Sequence, residues 1–329
     1  MDPLEKNQIL IDQTDAPSLA EAPVILIPCH NRKAITLACI RHLRDLGLLA
    51  RYGLIVIDDG STDGTSQAIA SEFPAVVVLH GDGNLFWTGA MEMGMRHAVA
   101  AGSPCCIWLN DDLSLGDHAI EQVTDLAMAR QTLVTGQGVI DLESGIQWFF
   151  PFMYRGKSKL VPVDVDPNCS STVNVDTCRG NLVAVPKNVI LEIGYPDGKN
   201  IPHVGGDSDY GLRATAAGFD CITLCCARFF EKDTVRDDNR SWLLGKQSLR
   251  KTWSRALARR GNLYPRMVLT YNFRHWGARG LINVAYSYFH LIGISVLRIT
   301  VPGPILHRIF ARRSSAYIAY NGRPGESSP

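Results

Sequence analysis

Acidic side chains occur in three short clusters whose spacing could support chemistry. The clusters are Asp58-Asp59, Asn110-Asp111-Asp112 and Asp207-Ser208-Asp209. Adjacent carboxylates repel each other unless a cation neutralises them. Mg²⁺ and Mn²⁺ prefer oxygen ligands, and they usually bridge a protein carboxylate and substrate phosphates. The second cluster therefore predicts a site for a divalent cation and a phosphate-bearing ligand, although a solvated acidic turn before a helix would have the same composition.

The elements that position these clusters alternate between buried strands and helices. The predicted strands are 23–29, 54–57, 76–79 and 105–109, and helical periods lie at 32–49, 62–70, 88–101 and 118–131. This alternation predicts an α/β fold with a parallel sheet and helices on both faces. Ligands in such sheets bind beyond the carboxyl ends of the strands. Three of these four strands end in polar residues, so we expect these ends to face one crevice. Further along the chain, a short helix is predicted at 187–193, a helix from Tyr210 to Ala217 and a final strand at 219–224.

The first and third clusters each have a plainer explanation as a helix start. Asp caps free backbone N–H groups well and is favoured in the first turn of a helix. Asp63 is expected to have only this role. A carboxylate of Asp58 or Asp59 could instead accept a hydrogen bond from a nucleobase or a ribose. Asp207 or Asp209 could serve as a general base that accepts the proton of an acceptor hydroxyl.

A glycine-rich loop lies between the first two clusters. The segment 81–84 (GDGN) leads through Gly89 into a helix. Small residues before a helix N-terminus let backbone N–H groups approach a diphosphate. Such a loop is often only a connection, so it supports a nucleotide site only together with the acidic clusters.

Composition is that of a globular protein and excludes several classes. Hydrophobic residues make up 46% of the chain and charged residues 20%, and the net charge is +1. These values fit a sizeable core and give no indication of nucleic-acid binding. The nine cysteines are odd in number and form no CxxC pair. We therefore expect free thiols and a reducing, cytoplasmic location.

Four parts are expected along the chain. They are a flexible lead at 1–22, an α/β domain at 23–240, a helical basic region at 241–313 and a flexible tail at 314–329. Within the α/β domain, 23–132 is the predicted nucleotide-binding half and 133–240 the acceptor and catalytic half. The lead lacks the basic and apolar regions of a signal peptide.

Six segments in order resemble family 2 glycosyltransferases of the GT-A fold, in particular the rhamnosyltransferase-like members. The segments are 24–32 (VILIPCHNR), 56–65 (VIDDGSTDGT), 81–94 (GDGNLFWTGAMEMG), 108–112 (WLNDD), 179–186 (RGNLVAVP) and 205–219 (GGDSDYGLRATAAGF). The resemblance implies a mixed, mainly parallel sheet flanked by helices. It also implies inverting transfer of a sugar from a nucleotide diphosphate, such as UDP or dTDP, to an acceptor hydroxyl in surface polysaccharide or glycolipid synthesis.

The same resemblance implies roles for single residues. The implied nucleotide-sugar contacts are Pro28, Asn31, Asp58, Asp59, Asn84, Gly89, Asn110, Asp111 and Gly180. Asp112 matches the last acid of the family's D-x-D and is the implied ligand of Mn²⁺ or Mg²⁺, while Asn110 replaces the first acid. Asp207 falls on the position of the catalytic base. Gly206 replaces the acid before it, which leaves Asp209 as an alternative base.

The basic region at 241–313 has two interpretations. Arg and Lys alternate there with Leu, Trp, Tyr and Ile. The region could be a helical packing unit or an interface between copies of the chain. Alternatively, it could lie on a membrane, with its basic side chains against anionic head groups. A peripheral position of this kind at the inner face of a membrane would suit a lipid-linked acceptor. The most apolar stretch, 281–297, is marginal in length for crossing a bilayer.

Three other classes compete with a glycosyltransferase. A sugar nucleotidyltransferase would normally carry a long Gly-rich, basic loop after the first strand, where this chain has Pro28-Cys29-His30-Asn31-Arg32. A dehydrogenase would need a GxGxxG motif at the same place. A nucleotide-sugar-binding module without turnover remains open, because Asn110 and Gly206 replace acids of the family pattern. A turnover assay distinguishes the module from an enzyme.

Overall fold

The computed structural model describes residues 17–141, 147–149, 152–155, 160–163, 171–232, 247–306 and 308. The strands are β1 (Val24–Cys29), β2 (Gly53–Asp58), β3 (Val77–His80), β4 (Cys105–Leu109), β5 (Leu113–Leu115), β6 (Leu133–Asp141), β7 (Gln147–Phe149), β8 (Phe152–Arg155), β9 (Leu160–Val163), β10 (Thr172–Val175), β11 (Leu182–Pro186) and β12 (Cys221–Lys232). The α-helices are α1 (Lys33–Asp45), α2 (Thr65–Glu72), α3 (Phe86–Ala100), α4 (Ala119–Arg130), α5 (Lys187–Ile193), α6 (Gly206–Ala216), α7 (Leu249–Leu257), α8 (Pro265–Trp276) and α9 (Gly280–Thr300).

One mixed sheet contains ten of these strands. Its main path runs β10-β12-β6-β11-β4-β1-β2-β3, with β5 and β7 added at β12 and β6. The strands β3, β2, β1 and β4 are parallel neighbours, and β11 lies antiparallel between β4 and β6. The prediction of a mainly parallel sheet is therefore confirmed, and the antiparallel pairings, which involve β5, β7, β10 and β11, lie in its second half.

Strand order reverses between β1 and β4. The chain moves outward from β1 through β2 to β3, and then returns to place β4 on the other side of β1. A crevice forms beyond the carboxyl ends of the strands at such a reversal, and ligands bind there. The residues that follow β1 and β4 are 30–32 and 110–112, so two of the predicted polar ends border this crevice.

Helices cover both faces of the sheet because the side chains of each strand alternate between the faces. In β1, Ile25 and Ile27 belong to the cluster that includes α1, α2 and α4. Val24 and Leu26 belong to the opposite cluster, which includes α3, α5 and α6. Every strand residue of β2 and β4 is buried, as expected for central strands covered on both faces.

Two predicted elements differ at their ends for local reasons. The last strand was expected at 219–224, but β12 continues to Lys232 through a register shift between Leu224 and Arg228. A β-bulge of this kind interrupts the alternation on which the sequence prediction rests. The helix expected from Tyr210 begins at Gly206, so Asp207 lies in its first turn.

The C-terminal helices pack on the α/β domain through a third apolar cluster. Its buried members include Ala256, Leu263, Val268 and Leu291 from the helices and Ile201 from the segment before α6. The helical prediction for this region is confirmed over 247–306. Of the predicted lead, Ala22 is buried and accepts a hydrogen bond from Ser103 at 3.0 Å. Residues 1–16 and the predicted tail at 314–329 lie outside the described residues.

Candidate functional site

The polar ends of β1 and β2 meet directly. The His30 ring Nδ1 lies 2.6 Å from the Asp59 carbonyl oxygen. The Asn31 backbone N–H donates to the Ser61 hydroxyl at 2.8 Å, and the Asn31 side-chain oxygen accepts from the Thr62 N–H at 2.8 Å. Asn31 adopts a left-handed backbone conformation with φ 51°, which Asn tolerates better than most residues. The predicted convergence of these two ends is confirmed.

Asp59 holds the glycine loop in place. Its carboxylate accepts hydrogen bonds from the backbone N–H groups of Gly83, Leu85 and Phe86 at 2.8, 3.1 and 2.9 Å. The residue is 5% exposed. Three N–H groups that we expected to face a diphosphate are thus directed at a protein carboxylate. Asn84 lies between them and is exposed, so it is the predicted donor contact that this loop presents to solvent.

Asp58 has a similar role one strand position earlier. It accepts from the Ser61 N–H at 2.9 Å and from the Ser66 hydroxyl, and it is 3% exposed. These bonds tie the end of β2 to the start of α2. Pro28 lies beside Ile57 in the sheet register, near the same edge. Contact between a nucleotide and either Asp58 or Pro28 stays a prediction.

Arg32 bridges the two acids of the second cluster. Its guanidinium lies 3.1 Å from Asp111 and 2.8 Å from Asp112. Asp111 also accepts from the Thr36 hydroxyl at 2.7 Å, and its side chain is 1% exposed. Burial raises the pKa of Asp111, and the Thr36 bond and the Arg32 charge offset only part of this effect. The side chain of Asp112 is 46% exposed, so Asp112 is the member of the pair that faces solvent.

The donor set around Asp112 fits an ion that arrives with its substrate. Among the described residues, no group of three or more His, Cys, Asp or Glu side chains could enclose a metal. Mg²⁺ and related ions do not need such a cage, because they bind through one or two carboxylates plus substrate phosphates. One exposed carboxylate beside a buried one provides the protein part of that arrangement.

Asn110 connects the end of β4 to two other parts of the site. Its side-chain oxygen accepts from the Trp87 indole N–H at 3.0 Å, and its side-chain nitrogen donates to Asn181 at 3.1 Å. The Asn110 backbone N–H donates to the Asn181 carbonyl at 3.1 Å. An amide can donate and accept at once, which an ionised carboxylate cannot do. This pair of bonds gives a physical reason for Asn at a position where the family pattern has an acid.

Asp207 lies next to the hydrogen bonds of Asn110, in the first turn of α6. Its carboxylate accepts from the Gly180 N–H at 2.9 Å and from the Ser208 N–H at 2.7 Å. A Cβ on Gly180 would collide with the Trp87 ring and come within 3.1 Å of the Asp207 Cβ. Glycine at 180 therefore lets the indole and the carboxylate approach each other. Through Gly180 and Trp87, Asp207 is placed beside Asn110.

Two glycines of the predicted site are enclosed by protein. A Cβ on Gly206 would collide with the Thr88 side chain, so the acid that the family pattern has here would not fit. Gly89 is buried in α3, in close contact with Gly198 of the segment before α6. The 197–201 segment covers this turn of the helix, and contact of Gly89 with a nucleotide stays a prediction.

Asp209 is an internal anchor. Its side chain is fully buried and is bound by Arg213 at 3.0 Å, Arg274 at 2.7 Å and His275 at 2.9 Å. Burial opposes ionisation, but His275 and the two arginines outweigh it and hold the pKa of Asp209 below its usual range. The carboxylate connects α6 to α8. Of the two candidate bases, only Asp207 is partly exposed.

The C-terminal region also borders the crevice, which sequence reasoning missed. The Arg259 guanidinium lies 5.6 Å from the centre of the Phe86 ring. Tyr271 of α8 lies close to Gly205, and burial raises its pKa, with Asp207 adding to the effect. In the sequence, the spacing of Asp209 and Arg213 suits a helical ion pair and could have indicated that Asp209 is bonded within the protein. It gives no indication of the contacts with α8.

A mixed sheet flanked by helices, with a crevice at the carboxyl ends of its parallel strands, is the architecture of a GT-A domain. Residues 24–181 match the sequence model described as glycosyl transferase family 2. The match covers just under half of the chain, and over these residues the chain is similar to family 2 glycosyltransferases. None of the curated proteins matched the chain.

A solved structure supports the same fold. The chain is similar to the crystal structure of GalNAc-T7 with UDP, GalNAc and Mn²⁺, with a TM-score of 0.52 and 14% sequence identity. The match covers 65% of this chain and 44% of that one, so this chain corresponds to less than half of the GalNAc-T7 chain. At this identity the likeness supports the architecture alone.

Proposed function

We propose that this protein transfers a sugar from a nucleotide diphosphate sugar, such as a UDP- or dTDP-sugar, to an acceptor hydroxyl with inversion at the anomeric carbon. The observation that carries the proposal is the position of Asp207. Its partly exposed carboxylate lies across Gly180 and Trp87 from Asn110. A base beside the donor crevice is what a single displacement needs.

Asp207 acts as the general base. The acceptor oxygen attacks the anomeric carbon, its proton passes to a carboxylate oxygen of Asp207, and the bond between that carbon and the diphosphate oxygen breaks. Two backbone N–H groups, from Gly180 and Ser208, fix the carboxylate. Its orientation is thus set by main chain before the acceptor binds. Asp209 contributes to the same geometry indirectly, by holding α6 against α8.

The donor lies along the carboxyl ends of β1, β2 and β4. Asn31, Asn84 and Asn110 offer amide groups there, and Asp58 and Asp59 keep the loops in position. Asp112 would hold Mn²⁺ or Mg²⁺ together with the donor, and the bound ion would neutralise charge that develops on the leaving diphosphate. The GalNAc-T7 structure that contains UDP and Mn²⁺ supports this assignment by its shared fold.

The acceptor is a carbohydrate or a lipid-linked carbohydrate of a surface polysaccharide or glycolipid, as in the rhamnosyltransferase-like members that the motifs resemble. The eight cysteines of the described part are free thiols. Free thiols, several of them buried, support the cytoplasmic location expected from the sequence.

A panel of UDP-, GDP- and dTDP-sugars, with and without Mn²⁺, tests the donor assignment. The cognate donor should raise the melting temperature by mass action, and the same donor should release its nucleotide when an acceptor is supplied. Stabilisation by a donor without nucleotide release, across a broad acceptor set, would instead favour the binding module. Formation of a nucleotide sugar from a sugar phosphate and a nucleoside triphosphate would favour the nucleotidyltransferase.

A further inference from the structure

The outward face of α9 is apolar along its whole length. The helix has 21 residues, or about 31 Å. Eight large apolar side chains on it are between 37% and 72% exposed: Leu281, Ile282, Tyr286, Phe289, Ile292, Val296, Leu297 and Ile299. A surface helix of a water-soluble domain normally carries polar residues on its outward face. A contiguous exposed apolar face of this size marks a surface that interacts with a protein or a membrane.

The inward face of the helix is held along the domain. The buried residues Gly280, Leu291 and Ile294 lie on it. The Trp253 indole donates to the Ser295 hydroxyl at 2.9 Å, and the Tyr288 hydroxyl donates to the Leu263 carbonyl at 3.1 Å. These contacts bind the middle of α9 to α7 and to the start of α8, so the helix lies flat on the domain.

The charged residues of the C-terminal helices are all basic. Residues 247–306 contain no Asp and no Glu. They contain the cations Arg250, Lys251, Arg255, Arg259, Arg260, Arg266, Arg274, Arg279 and Arg298. Most of them are exposed. Arg274 is paired with Asp209 and Asp197, whereas Arg250 and Lys251 are exposed on α7, which is bonded to α9. An apolar face with exposed cations beside it is complementary to a surface that offers hydrocarbon below a layer of negative charge.

We propose that the outward face of α9 docks on an anionic lipid bilayer, with the cations of α7 against the head groups. A second copy of the chain fits this surface less well, because it would bring the same cations against these without a compensating acid. The stretch Pro265–Thr300 is long and apolar enough to cross a membrane. The bonds from α9 to α7 and α8 favour a helix embedded lengthwise in the interface.

Docking would bring the acceptor side of the crevice near the bilayer, because α8 packs against α9 and also lies near Asp207. Tyr271 of α8 lies near Asp207, and Arg259 lies over Phe86 at the crevice edge. The helices that would touch lipid are thus the helices that border the base. This arrangement suits an acceptor carried on a lipid, a consequence that rests on the proposed function and is tested separately from docking.

Vesicle flotation of the full chain tests the docking. We expect binding to vesicles of phosphatidylcholine with phosphatidylglycerol and much weaker binding to phosphatidylcholine alone. The double substitution Ile282→Ser/Phe289→Ser should lower the partition coefficient at least about tenfold. Both side chains are 70% exposed, so the fold is retained. Leu191→Ser is the matched control, because Leu191 is 67% exposed on α5, and it should bind as the wild type does.

The basic border is tested in the same assay. Arg250→Gln/Lys251→Gln should weaken binding to the anionic vesicles about tenfold, whereas Arg130→Gln on α4 should leave it unchanged. Wild-type flotation by the Ile282/Phe289 variant, or no flotation of the wild type, overturns the proposal. A dimer in light scattering that dissociates in the same variant also overturns it, in favour of a second copy. Stabilisation by donor, measured on each variant, reports on the proposed function independently.

Discussion

The two acidic pairs of the crevice, Asp111-Asp112 and Asp207-Asp209, are alike in burial, but the pKa values of their buried members are shifted in opposite directions. In each pair one acid is buried and bonded within the protein, and the other is at least partly exposed. Burial raises the pKa of Asp111. The pKa of Asp209 is lowered, because two arginines and a histidine outweigh the same effect of burial.

The opposite pKa shifts of Asp111 and Asp209 show that a buried carboxylate stabilises the fold only where its partners outweigh the cost of burying its charge. Asp209 has three cationic or hydrogen-bonding partners from two helices and stabilises the fold in its ionised form. Asp111 shares a single arginine with its neighbour, so its charge is a cost that the fold bears at the site. We expect four substitutions to separate these roles.

The largest effect should come from Asp207→Asn. An amide cannot accept the acceptor proton, so the transfer rate should fall by about 10²–10⁴-fold. The affinity for the donor should stay near that of the wild type, because Asp207 lies on the acceptor side. Turnover and donor binding are measured on the same preparation. Transfer at the wild-type rate would remove Asp207 from the mechanism.

Asp209→Asn should mainly destabilise the fold. The substitution leaves Arg213 and Arg274 without their shared counter-charge, at a cost of about 3 kcal/mol. The group's pKa is lowered, so its contribution is full above the ordinary value of 3.8 and declines as pH falls towards the lowered value. Urea denaturation at several pH values measures how the free energy of unfolding of each variant depends on pH. Asp197→Asn removes a more exposed partner of Arg274 and should lower the free energy of unfolding by less. An equal loss in the two variants would contradict the role of Asp209 as the internal anchor.

Asp112→Ala should remove the response to metal without unfolding the protein. Its side chain is 46% exposed, so the fold does not depend on it. Donor affinity should no longer increase with Mn²⁺, a loss of at least about tenfold at saturating metal. Calorimetric titration of donor, with and without Mn²⁺, makes the comparison. A metal response as large as that of the wild type would move the ion to another residue.

The smallest effect is expected from Asp111→Asn, and this substitution should stabilise the protein. Asp111 has a raised pKa, so its contribution to stability is present below 3.8 and is lost as pH rises through the raised value. At neutral pH the amide should therefore raise the melting temperature by about 1–2 °C. The gain should shrink towards pH 4. A fall in melting temperature at pH 7 would mean that the pairing with Arg32 outweighs burial.

Much of the fold could be predicted from the sequence because its central elements are locally consistent. The bounds of β4 and α5 agree with their predicted ranges to the residue. The meeting of the strand ends followed from topology alone. The roles inside the crevice did not, since Arg274 reaches Asp209 from 65 positions away in the chain. Nothing near Asp209 in the sequence distinguishes it from Asp207, and only the packing of α8 against α6 separates the anchor from the exposed acid.

The bridge from Arg32 to Asp111 and Asp112 means that one guanidinium already neutralises part of the charge of the second cluster. If Asp112 holds the divalent cation as proposed, that cation would have to displace the Arg32 guanidinium from Asp112, and its apparent affinity would include the cost of this exchange. A donor diphosphate brings negative charge that Arg32 can pair with once it is displaced. On this proposal, cation and donor would enter together more readily than either alone, and the site would select for the metal-bound donor.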